Sequence, residues 1–93
     1  MVYTKRSDAD AIVIKKYLLY KFTQKEVEKF DDLWRIFENV VTIFPKRYPR
    51  SLKGKNIHSA VLSKQLSVFY KITKDKIFVV AILDNRVDYA KWP

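Results

Sequence analysis

The chain has no cysteine and a single glycine, Gly54, in 93 residues. Without cysteine there is no disulfide framework and no thiolate metal centre. The one histidine, His58, cannot build a His/Cys metal site alone. One glycine cannot form a glycine-rich phosphate loop. Long apolar runs are also missing: the longest, Ile77–Leu83, has seven residues, where a bilayer-spanning helix needs roughly 20. No N-terminal stretch joins a charged start to an apolar core of signal-peptide length. These absences predict a domain without metal or cofactor, in a reducing cytoplasm and away from membranes.

What is present suffices for one core. The chain is 48% hydrophobic and 15% aromatic, and its length leaves no room for a second core, so residues 1–93 form one domain. The net charge of +9 is unevenly placed. Residues 1–45 carry eight Lys/Arg and seven Asp/Glu, a net of +1. Residues 46–76 carry nine Lys/Arg against Asp75 alone, a net of +8, and residues 77–93 are neutral. A block this one-sided is either a solvated basic face or a surface for an anion, and the anion reading is the stronger.

The order of elements follows from periodicity and punctuation. Val2–Lys5 reads as a short strand. Ser7-Asp-Ala-Asp10 resembles a capping box and predicts a helix from Asp8 to about Lys21, with Ala11, Ile14 and Leu18 on one face and Tyr17 beside them. Thr23-Gln-Lys-Glu26 is a fuller capping box and starts a second helix at Gln24. Its apolar stripe is Val27, Phe30, Trp34, Phe37, Val41 and Phe44, widened by Leu33 and Val40. Pro45 stops it. The stripe is read as core.

Residues 46–56, with Pro49, Gly54 and five cations, read as a loop. Three extended segments follow, Ile57–Ser63, Leu66–Ile72 and Ile77–Leu83, joined by short polar turns. The middle one places Leu66, Val68, Tyr70 and Ile72 on one face and Ser67, Phe69 and Lys71 on the other. The last is apolar on both faces and belongs at the centre of the sheet. The expected fold class is α+β: a short strand, an antiparallel two-helix hairpin and a three-stranded antiparallel meander, β-α-α-β-β-β. The hairpin covers one sheet face and leaves the other partly open.

Arg47, Arg50, Lys53, Lys55, Lys64 and Lys71 cluster before and within the meander, and Arg86 and Tyr89 follow its last strand. Arginine offers phosphate a planar bidentate fork, lysine a point charge. The expectation is that the cationic loop approaches Arg86 across the open face. Tyr48, Tyr70 and Tyr89 are candidates to stack unpaired bases, with Tyr70 half core and half surface. His58 reads as an ordinary strand residue.

Three features carry a resemblance over nearly the whole chain: the helical hairpin ending in Ile43–Pro45, the segment Ser67–Arg86, and the Arg86-Val-Asp88 tail. The chain resembles the RelE/ParE superfamily of toxins of bacterial type II toxin–antitoxin systems. The resemblance implies a growth-arresting action and an acidic cognate antitoxin encoded by the adjacent gene. That antitoxin covers either the basic face or the helical hairpin. For the action the first reading is RelE-like and the alternative is ParE-like. A RelE-like member cleaves mRNA on the ribosome without a metal. Arg86 would then stabilise charge, Lys53 and Lys55 would assist, and Tyr89 or a lysine would move the proton. Arg47, Arg50, Lys53, Lys55, Lys64, Lys71 and Arg86 would hold the nucleic acid. A ParE-like member inhibits DNA gyrase without chemistry of its own. An inactive homologue that still binds an antitoxin is the third possibility. No histidine lies in the tail and no glutamate in the basic block, so the supply of acid–base groups is thin.

Overall fold

The structure is a computed structural model that describes residues 1–51 and 56–87. It contains β1 (Val2–Tyr3), α1 (Lys5–Lys21), α2 (Gln24–Ile43), β2 (Ile57–Val61), β3 (Leu66–Thr73) and β4 (Lys76–Asp84), in that order. The sheet order is β1-β4-β3-β2, with β1 parallel to β4 and the other pairs antiparallel. The expected β-α-α-β-β-β architecture is therefore present. The apolar β4 lies between two neighbours, as its two-sided hydrophobicity demands.

One sheet face is buried under the helices. Ala60, Leu66, Val68, Tyr70, Val79 and Ile82 meet Ile14, Leu18, Phe30, Phe37 and Val41. The alternation read for β3 holds: Leu66, Val68 and Tyr70 are buried, while Ser67, Phe69 and Lys71 lie on the opposite face. Aromatic rings run through the core, from Tyr3 to Trp34 (5.8 Å), Phe37 (5.3 Å), Tyr70 (5.6 Å) and His58 (5.1 Å). Tyr3 donates to Glu38 and accepts from the Trp34 indole. Burial, then the Glu38 hydrogen bond, pushes the Tyr3 phenol up to about 12.

Four local expectations are corrected. First, α1 begins at Lys5, because Thr4 is the cap and its Oγ1 accepts from the Ser7 amide at 3.2 Å. The Thr4 amide and hydroxyl also donate to the Val79 carbonyl, at 3.1 and 2.9 Å, beside the irregular register at Phe69/Tyr70. Asp10 is no capping residue. Its carboxylate accepts from the Ile82 amide at 3.0 Å and docks α1 onto β4. Second, Thr23 does precede α2, but its side chain makes no cap bond and Glu26 turns away from it. Third, Phe44 lies beyond the helix and is 62% exposed, so it leaves the core stripe. Fourth, Tyr70 is fully buried, with its hydroxyl donating to the Pro45 carbonyl at 2.8 Å. Among the described residues, no helix is long and apolar enough to cross a membrane.

Candidate functional site

Charged groups gather at both ends of the sheet, and the strand register fixes which end each occupies. Leu66 pairs with Asp84 at one end, and Thr73 with Lys76 at the other. Arg86 follows Asp84. Arg50 bridges to His58, which pairs with Tyr70, and the neighbouring Ile57 pairs with Lys71. The described part of the cationic loop therefore sits at the end away from Arg86. The distance is roughly 16 Å, five strand residues at about 3.3 Å each. For the described residues of this loop, the register corrects the expectation that they meet Arg86.

At the Asp84 end the arginine is enclosed. Asp84 is the last residue of β4 on the helix-facing side and is fully buried. Its carboxylate closes a turn by accepting from the Arg86 amide at 2.9 Å, and Val87 is buried next to it. The same carboxylate takes the guanidinium in a two-pronged grip, Nε to Oδ1 at 3.0 Å and Nη2 to Oδ2 at 2.7 Å. Nη1 donates to Glu26 Oε2 at 3.0 Å, and the Phe22 ring lies 5.8 Å from the guanidinium carbon. The Asp84 hydrogen bonds are the main reason that the Arg86 pKa is raised above the usual value. Lys29 Nζ also lies 3.4 Å from Glu26 Oε1, so two cations face two carboxylates here. As it stands, Arg86 offers no net positive field to a phosphate. It neutralises a buried carboxylate and ties the α1–α2 turn to the end of β4. Lys64 is exposed in the β2–β3 turn at this same end, where its carbonyl accepts from Asn85 at 3.3 Å.

At the hairpin end the cations are open. Lys46, Arg47, Arg50, Lys71, Lys74 and Lys76 are all exposed. None of the ion pairs among the described residues includes them. The loop that carries three of them is pinned along the outer edge of β2. Ser59 donates to Pro49 O at 2.9 Å and Ser51 to Ile57 O at 2.6 Å. His58 Nδ1 lies 2.8 Å from Tyr48 O, and a carbonyl only accepts, so that nitrogen carries the proton. Tyr48 and Tyr70 pack on Phe37 and on each other, which draws two of the three offered stacking tyrosines into the core packing. Lys53, Lys55 and Tyr89 lie outside the described residues. Two features had no signal in sequence: the partners of Arg86, and an apolar hollow beside the open cations formed by Ile43, Phe44, Pro45 and Ile72. Among the described residues, no group of three or more His, Cys, Asp or Glu is placed to hold a metal ion.

No family model matches the chain, and no curated protein matches it. Among solved structures, a chain of the "Chromosomal ParDE TA system from P. aeruginosa" shares its fold. The TM-score is 0.73 over 88% of this chain and 90% of that chain, with 13% sequence identity. At that identity the likeness establishes the fold.

Proposed function

We propose that this chain is the toxin of a toxin–antitoxin pair and that it acts by binding, as a ParE-like inhibitor of DNA gyrase. The fold likeness to a ParDE system supports the pair. The observation that carries the choice of action is the enclosure of Arg86. A strand-end arginine bonded to Asp84 and Glu26 is committed to the fold. Catalysis of phosphodiester cleavage instead needs cations free to meet developing charge. The partner is an acidic antitoxin from the adjacent gene, acting in the cytoplasm on the pinned, exposed cations at the hairpin end. Attraction of this kind governs association rate and salt sensitivity more than affinity.

The second reading is the ribosome-dependent ribonuclease. Six exposed cations at the hairpin end favour it. In that reading Arg47, Arg50, Lys64 and Lys71 track the RNA backbone, and Lys53, Lys55, Tyr89 and Arg86 supply the chemistry. Induced expression without the partner separates the two. Gyrase-cleaved DNA with intact mRNA supports the first reading. Cut mRNA with undamaged DNA overturns it in favour of the second. Unaffected growth removes both and leaves an inactive relative.

A further inference from the structure

Where α2 ends, the surface breaks the rule that large apolar side chains turn inward. Ile43 is 68% exposed and Phe44 62%. With Pro45 and Ile72 they wall a pocket of about 560 Å³. Its remaining lining is cationic: Lys46 and Arg47 from the loop, and Lys74 from the β3–β4 turn. Among the described residues, no carboxylate lines it. Asp75 lines the adjacent hollow instead, together with Lys76. An apolar floor ringed by charge of one sign has the form of a binding hot spot, in which one buried side chain is surrounded by polar contacts that exclude water.

The backbone adds a second observation. Lys74 has φ +39°, in the left-handed region, where a side chain is disfavoured and glycine is at ease. The turn therefore keeps a lysine where folding alone favours glycine. Strain held at one residue points to a task for its side chain, and that side chain is on the pocket rim.

We propose that this pocket takes one large apolar side chain, such as Leu, Phe or Trp, presented by an acidic peptide segment of a partner protein. The inference rests on the toxin–antitoxin reading for the existence of such a partner, and it gives that partner a docking point. The walls favour a peptide over RNA. Three of the four apolar residues are aliphatic, whereas bases stack on aromatic platforms. Among the described residues, the rim carries no side-chain acceptor to read a base edge.

The probe is a twelve-residue peptide with two leucines four residues apart among glutamates. Its control replaces both leucines by serine at equal charge, and a uridine hexamer tests RNA. Methyl NMR of the full chain is expected to show Ile43 and Ile72 shifting with the leucine peptide, and binding about tenfold weaker with the serine control. Arg47→Glu with Lys74→Glu is expected to weaken the leucine peptide about tenfold. Lys74→Gly is expected to weaken it while raising the urea midpoint, a split that a purely structural lysine does not give. Unmoved Ile43 and Ile72 methyls overturn the proposal, as does equal binding of the serine control. Binding of the uridine hexamer at these methyls in preference to the peptide also overturns it. A chain that arrests growth but fails these tests loses only the pocket. A chain that passes them without arresting growth loses only the toxin reading.

Discussion

At the Asp84 end of the sheet a guanidinium sits between two carboxylates, whereas at the hairpin end six cations face outward without an ion pair among the described residues. The two arrangements differ in burial. A carboxylate without water is costly unless paired and hydrogen-bonded, so the fold must bring a cation to Asp84. The lysines and arginines on the pinned loop and the β3–β4 turn stay hydrated and need no partner. Charge that serves stability is thus separated from charge that remains available. In the primary sequence both look like one basic excess.

The largest expected effect breaks the enclosed end. Arg86→Met leaves Asp84 buried and unpaired, and urea unfolding should show a loss of roughly 3–5 kcal/mol. Adding Asp84→Asn should restore part of it. A loss under about 0.5 kcal/mol, the level of an ordinary surface change, would make Arg86 a free cation and erase the contrast between the ends. Next comes Tyr70→Phe, which removes the donor to Pro45 O and loosens the seat of the basic loop. The expected cost is about 1–2 kcal/mol, with larger chemical-shift changes at Tyr48 and Arg50 than at Arg86.

A pH effect of intermediate size belongs to the core between the two ends. The folded state pushes the Tyr3 phenol up to about 12, above the usual tyrosine value of 10.0. The folded state holds this proton more tightly. The stabilisation is therefore complete below about pH 10 and is lost as pH rises toward 12. Tyr3→Phe should flatten the fall in urea midpoint over that window. The smallest effects on stability are expected at the open end, where Lys71→Glu should change unfolding by less than about 0.5 kcal/mol. The same substitution should reduce the salt dependence of partner association. A destabilisation near that of Arg86→Met would show that the open cations are structural too.

The sequence was most legible where a local pattern met a local cause. The stripe of α2, the alternation of β3 and the two-sided apolarity of β4 gave the architecture, because burial follows the 3.6- and 2-residue periods directly. It was least legible where two patterns compete for one residue. Glu26 fits a capping box, but its carboxylate is claimed by Arg86, 60 residues away. Ser7 fits an N-cap, but it is 1% exposed because Thr4 has already taken that role at the β4 bulge. Phe44 fits the helical stripe, but Pro45 ends the helix before it can turn inward.

Composition and periodicity alone determined an α+β fold with a concentrated basic segment, without the cysteines of a thiolate metal site or the glycines of a nucleotide loop. Only the tertiary structure decided which cations are free. Pairing of an ion depends on which carboxylate the fold removes from water and which guanidinium it brings within 3 Å. That is a property of strand register and turn geometry, to which no single segment of the chain holds the information.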